Sequence, residues 1–366
     1  MRRLSILTGA AILALTGCAT PLSIQRPADA CAPTAQFDFV CGANKPEDLA
    51  HIPDTPWIVA SGFATGAGLK LVDSRTRQAR FWFTAVADQV APDPAYPDCV
   101  KPPDPALFTA RGLSLRMTGP GQGRLLVVNH GGREAIEVFA IDARDSAAPP
   151  TLRWQGCLAM PDGHVANAVA SYGDGTVLAT VLTRPGTSIT DFVVGRTTGG
   201  VYQRGPQDRA FRLLPGTELP GNNGLETARD DSGFYVIAFG LREVVAYGRH
   251  NTRPPLWRAL APEFMPDNIH WDGERLLLAG MVRDEPACGG VRKIVNGVAD
   301  GMLCHRGYAV AQLDPENRHF SLIAYGPPDP AFNGVSAAVL LGEDLWLGSY
   351  QADRIAVRRL PKNGMN

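Results

Sequence analysis

The sequence has little of what marks a polyelectrolyte, a membrane-spanning chain or the common hydrolase motifs. Its 35 Lys and Arg nearly cancel 36 Asp and Glu over 366 residues, a formal charge of −1. No field of one sign therefore recommends nucleic acid or an anionic lipid surface as partner. Charged residues reach only 19%, below the ~25% of an average soluble domain. Beyond residue 17 no apolar run approaches the ~18–20 residues of a bilayer span. No segment sustains the i, i+3, i+4, i+7 pattern of an amphipathic helix. GxSxG, HExxH and Walker loops are absent, which argues against nucleophilic-serine and phosphate-loop chemistry. The seven cysteines contain no CxxC and no spacing that suggests zinc. What the chain does have is 45% hydrophobic residues, 39 Gly and 30 Pro. That is a turn-rich globular composition, long enough for a large core in one β architecture or two domains.

The first residues read as an address. Met1-Arg2-Arg3 is followed by an apolar, small-residue stretch from Leu4 to Gly17, the make-up of a secretory signal. It ends Leu15-Thr16-Gly17-Cys18, which resembles a bacterial lipobox, whose cysteine is acylated and becomes the mature first residue. An ordinary signal with an incidental cysteine is the plainer alternative. Residues 1–17 are thus predicted to be a lipoprotein signal peptide, 18–40 a tether and loop, and 41–366 the folded body. Ala19, in place of Asp, resembles the outer-membrane class, so the expected location is the periplasm, lipid-anchored to the outer membrane. In that oxidising compartment Cys31, Cys41, Cys99, Cys157, Cys288 and Cys304 can form disulfides. Cys288 and Cys304 bracket one loop-like insert and are expected to pair; the other pairings stay open.

One pattern recurs along the rest of the chain: a polar or small head, a few half-apolar residues, a Gly/Asp turn, then a β-run. The heads are Glu47-Asp48, Arg111-Gly112, Asn167-Ala168, Asn223-Gly224, Asp267-Asn268 and Asn333-Gly334. The runs, such as WIVASG, LLVVNH and FYVIAFG, are β-branched and aromatic with Gly, Asp and Pro between them. Each unit reads as a three- or four-stranded meander. Six of them arranged radially predict an all-β, six-bladed β-propeller with a central tunnel. The innermost strand of every blade lines that tunnel, so heads distant in sequence converge. Most carry carboxylate or amide oxygens. Hard oxygens in that number suit Ca²⁺, whereas softer metals call for His or Cys.

PEDLAHIPD (46–54), ARGLSLR (110–116), LLVVNHGGREAIEVFAID (125–142), NAVASYGDG (167–175), NNGLE (222–226), PDNIHWD (266–272) and GVSAAVLLGEDLWLGSY (334–350) together resemble the paraoxonase/arylesterase branch of the calcium-dependent six-bladed hydrolases, relatives of gluconolactonase and the regucalcin-like lactonases. The resemblance implies that Glu47, Asn167, Asn223, Asp267 and Asn268 bind a catalytic calcium. It places Asp48 and the carbonyl of Leu113 at a second, structural calcium, and His130 in a histidine pair above the metal. Three residues depart from that pattern. Arg111 stands where the family has the second histidine of the pair. Ala168 stands where it has another Asp at the buried calcium. Met281 replaces an active-site His.

The implied activity is hydrolysis of lactones or aryl esters. Asp267 or Glu47 would activate water, helped by His130, and Arg111 would either hold an anionic substrate or pair with a neighbouring carboxylate. The departures lead to an expectation of one tight calcium, with the second site weak or empty. Two other readings remain: a non-catalytic periplasmic calcium- or ligand-binding propeller, and a metal-free enzyme resembling strictosidine synthase. A monomer acting on a small molecule is expected, without nucleic acid and with the membrane met only through the lipid.

Overall fold

The structure is a computed structural model that describes residues 31–299 and 304–361. The expected signal peptide (1–17), Cys18 and the first part of the expected tether lie outside the described residues. Six four-stranded antiparallel sheets follow one another around a ring, and the six-bladed β-propeller expected from the repeat is what the chain forms. Their innermost strands are Leu49–His51, Ala110–Gly119, Ala166–Ser171, Asn222–Thr227, Phe264–Asp272 and Val335–Leu341 for blades 1 to 6.

Both faces of each blade meet a neighbour, which explains why the β-runs are apolar without alternation. In blade 2, Leu125 and Val127 face a cluster shared with blade 1, while Leu126 and Val128 face one shared with blade 3. Six such clusters fill the six interfaces between blades. There is no single central core, and the ring is left with a tunnel on its axis.

Blade 6 is built from both ends of the chain. Its outermost strand, Asp38–Cys41, pairs antiparallel with Arg354–Arg359, Asp38 opposite Val357 and Cys41 opposite Arg354. The folded body therefore starts ahead of the boundary expected at residue 41. The strand is short, and what makes it a strand is a partner at the other end of the sequence. Phe37 and Phe39 anchor it in the cluster between blades 5 and 6. Cys31–Cys41, Cys99–Cys157 and Cys288–Cys304 are the disulfides, so the pairing expected for the insert is observed. That insert lies in blade 5 between Arg275–Val282 and Tyr308–Asp314 and carries two small ribbons, Asp284–Glu285 with Gly290–Val291 and Ile294–Val295 with Val298–Ala299.

Candidate functional site

The heads converge through a repeated irregularity. In blades 2 to 6 the register between the inner strand and its neighbour shifts at the head, between Ala110 and Leu113, Ala166 and Val169, Asn222 and Leu225, Pro266 and Asn268, and Val335 and Ala337. A bulge inserts a residue and re-aims its side chain; here it turns the head residues out of the strand's alternation. Neighbouring heads then abut through main chain. A Cβ on Gly112 would lie 2.6 Å from the carbonyl oxygen of Asn167, and one on Gly224 would lie 2.5 Å from that of Asp267. Glycine follows the head in those two blades because the next blade's backbone occupies the space.

Cross-links complete the ring. Thr180 Oγ1 donates to the Asn223 carbonyl at 2.7 Å, tying blade 3 to blade 4. The Glu47 carbonyl accepts from Asn268 Nδ2 at 3.1 Å and from Ser336 Oγ at 2.6 Å, joining blades 5, 6 and 1. Ser336 thus takes the tunnel position in blade 6. Asn333, the head expected there, instead bonds Gln351 through its side-chain amide.

Glu47, Asn167, Asn223, Asp267 and Asn268 are all buried, none more than 6% exposed. Glu47 Oε2, Asn167 Oδ1 and Asn223 Oδ1 have no hydrogen-bond partner. An orphaned buried oxygen costs ~1–3 kcal/mol, so several converging in one place call for a ligand. Burial pushes Glu47 well above the usual carboxylate range although Arg111 opposes it, and the charges of Asp267 and Asp48 add to the rise. Burial likewise raises Asp267, against the pull of Arg111, a hydrogen bond from Asn223 and Arg292. Among the described residues no three His, Cys, Asp or Glu gather into a cluster suited to a metal. The donors here are two carboxylates and three amides, which fits a hard cation that accepts neutral oxygens, such as Ca²⁺, and not zinc.

Where the resemblance implies a second calcium, Asp48 is engaged by groups of the protein. Asp48 Oδ1 lies 2.7 Å from His270 Nε2 and accepts from Leu49 N–H at 2.9 Å, while Oδ2 accepts from Leu113 N–H at 2.8 Å. Leu113 thus meets Asp48 through its N–H rather than its carbonyl. His270 Nδ1 lies 3.7 Å from Glu226 Oε2. Burial disfavours a charged imidazole, but Asp48 and Glu226 outweigh it and raise His270 to about 10. His270 is thus the charge partner of Asp48, at the position where the resemblance implies a metal. His270 also borders a cavity of about 540 Å³ that runs on down the inner strands, past Ser114, Glu226 and Trp271.

The rim above the heads follows from topology. In an antiparallel meander the connection from second to third strand returns to the end where the first strand began. These connections carry Phe63, His130, Phe192, Phe239, Arg292 and Tyr350 in blades 1 to 6. Of these, His130 alone was marked by the sequence. His130 Nδ1 lies 2.8 Å from Glu134 Oε2, and its Nε2 is buried without a partner. Glu134 thus steadies the His130 ring. Arg111 places Nε 3.5 Å from Glu47 Oε1 and its guanidinium 4.6 Å from the centre of Phe63, whose other neighbour is the His130 ring. Met281 lies 3.5 Å from the Tyr350 hydroxyl, which donates to its sulfur.

No protein-family model matches this chain, and no curated protein matches its sequence. In structure it is similar to a luciferin-regenerating enzyme, at TM-score 0.50 and 13% identity over 89% of this chain and 94% of that one. It is also similar to virginiamycin B lyase from Staphylococcus aureus, at 0.47 and 11% over 89% and 99%. A glucose dehydrogenase-type oxidoreductase from Thermus thermophilus gives 0.44 and 12% over 88% and 100%. What is shared at such identities is the propeller fold, and the paraoxonase-like resemblance has no family match. The distant neighbours include enzymes.

Proposed function

We propose that this protein is a calcium-dependent hydrolase of lactones or aryl esters. The observation that supports it most is the set of buried, partnerless oxygens on Glu47, Asn167 and Asn223, gathered with Asp267 and Asn268. These five residues would hold the ion. Calcium bound there supplies a Lewis acid that polarises an ester carbonyl. Glu47 and Asp267 contribute the negative charge that retains a cation; the three amides add oxygens without neutralising it further. His130 presents Nε2 as the acceptor for a proton from attacking water, with Glu134 fixing its tautomer by taking the Nδ1 proton's hydrogen bond. Phe63 and Tyr350, half-buried on the connections of blades 1 and 6, would offer apolar surface to the acyl or aryl part of a substrate.

Adding calcium to chelated protein tests this. Thermal melting should rise and hydrolysis of dihydrocoumarin or phenyl acetate should appear together. A rise in melting without hydrolysis supports a calcium-binding propeller, and no response in either supports a metal-free enzyme. The pH dependence has a definite sign. With Glu47 and Asp267 raised by burial, the folded metal-free protein holds more protons than the unfolded chain between the ordinary carboxylate range and neutrality. Stability in chelator should therefore fall as pH rises through that window. Saturating calcium should remove the fall, because it binds the ionised carboxylates.

We also propose that Cys18 anchors the protein to the periplasmic face of the outer membrane. A Cys18→Ser variant should appear as a soluble or uncleaved species, and unchanged outer-membrane fractionation would refute the anchor.

A further inference from the structure

The tunnel is barred just past the heads. Asp48 of blade 1 accepts from Leu113 N–H of blade 2 and lies 2.7 Å from His270 Nε2 of blade 5. His270 Nδ1 in turn faces Glu226 Oε2 of blade 4. Beyond this bar lies the cavity of about 540 Å³, within the ~300–1,000 Å³ of small-molecule sites. The inner strands of all six blades contribute to its wall. Its edge on the face opposite the heads is formed by exposed Pro53, Arg229 and Gly273.

The wall is of mixed chemistry. Leu115, Met117 and Leu340, all half-buried, give it apolar surface. Its arginines and Asp272 are already engaged. Arg116 donates to the Ser171 carbonyl at 2.9 Å and lies 3.0 Å from Asp231. Arg229 donates to the Gly273 carbonyl, with its guanidinium over the ring of Trp271. Asp272 accepts from Gln312 at 2.6 Å. What stays open is the gap between His270 and Glu226. Nδ1 and Oε2 are 3.7 Å apart, too far for a hydrogen bond. The other atom of each is spent, Nε2 on Asp48 and Oε1 on Thr227 N–H at 2.9 Å.

In the imidazolium Nδ1 carries a hydrogen, whereas Oε2 has only lone pairs to offer. A group that serves both must accept one hydrogen bond and donate another. A hydroxyl does so. A carboxylate has nothing to donate to Oε2, and an ammonium has no lone pair for Nδ1. The hydroxyl of Ser114, on the same wall, adds a partner that both donates and accepts. A bridging water meets the same demand but takes only ~30 Å³, a small part of the space.

We propose that this cavity is a second binding site, apart from the heads, for a neutral polyhydroxylated molecule of the sugar or polyol class, one hydroxyl of which bridges His270 Nδ1 and Glu226 Oε2. The apolar residues of the wall meet its C–H faces. The site does not depend on the hydrolase reading.

Calorimetry with three probes of related skeleton, glucose, gluconate and glucosamine, tests this in chelator and in calcium. Glucose should bind in both buffers, about tenfold or more tightly than either charged probe. It should also shift the Nδ1–H resonance of His270, seen by NMR of protein labelled at histidine. Ser114→Leu, which fills the cavity, and Glu226→Met, which keeps the length but offers no acceptor oxygen, should each weaken glucose by about tenfold or more. Asp267→Asn should bind it as wild type does. The His270 signal is read on wild type, so it decides the matter even where a variant folds poorly. No binding of glucose, an unmoved His270 resonance, or equal binding of a charged probe overturns the proposal. Binding that requires calcium, or that is lost in Asp267→Asn and kept in Ser114→Leu, places the sugar at the heads and overturns it too.

Discussion

Asp267→Asn should abolish hydrolysis, lowering kcat/KM by more than about a hundredfold, while leaving the calcium-free protein no less stable than wild type above neutral pH. The two halves have one cause. Asp267 is a buried carboxylate that burial drives towards its neutral form, so an amide of the same shape relieves a penalty when no cation is there. The same change removes one of only two charges available to hold a cation. In wild type, calcium at about a thousand times its Kd adds about 4 kcal/mol of stability; in Asp267→Asn that increment should vanish. Melting curves with calcium and with chelator, taken at one pH above neutrality, separate the outcomes. A variant still stabilised by calcium to the wild-type extent would remove Asp267 from the ligand set. Glu134→Gln is the contrasting substitution. It leaves all five oxygen donors in place, so calcium should stabilise it as it does wild type, while kcat falls with KM little changed. A parallel loss of calcium stabilisation would place Glu134 in the metal site instead of beside His130.

His270→Leu should be the most destabilising single substitution in the tunnel. It leaves Asp48, 1% exposed, with two backbone donors and no positive partner. Breaking one side of a buried ion pair costs about 3–5 kcal/mol, read as a drop in the denaturant midpoint. Adding Asp48→Asn to His270→Leu should return much of it, because the stranded charge is gone. The pH dependence again has a sign. His270 has its folded-state value raised from 6.5 to about 10, so its contribution is fully present below about pH 6.5. It declines as pH climbs and is gone above about 10. The gap between wild type and His270→Leu should narrow over that interval. A gap that is constant from pH 6 to 10 would mean that packing, not charge, is what His270 contributes.

The propeller was legible because its cause is local and repeated. Each blade needs four short strands with both faces apolar, and that leaves a mark in every run, from WIVASG to LWLGS. The oxygen-bearing heads were legible for the same reason, since they recur at one place in the repeat. What escaped were pairings that occur once. His270 meets Asp48 across 222 positions of sequence, and nothing in PDNIHWD marks its histidine as a counter-ion. Glu134 lies in HGGRE four residues from His130, but only the fold of that connection turns the two towards each other. The strand Asp38–Cys41 escaped because its identity depends on residues at the far end of the chain.

That last strand has a consequence for how the molecule is made. A ribosome delivers residues 38–41 among the first of the folded body and their partners, residues 354–359, among the last. Until then blade 6 does not exist, and the apolar flanks of blades 1 and 5 that it will cover face solvent. The contact spans almost the whole body, so the loop it closes is among the longest the chain can form and is slow to find. A chain in transit thus carries Phe37, Phe39 and an unpaired strand edge, the kind of surface that invites another chain to join. Ending the chain before Arg354, so that the last strand Arg354–Arg359 is lost, removes the latch and leaves that edge permanently open. Such a truncation should be recovered as aggregate instead of as a five-bladed ring. Joining residues 38–41 through a flexible linker to the C-terminus, with the start moved to the beginning of blade 1, makes every blade contiguous in sequence and should speed folding without altering the tunnel.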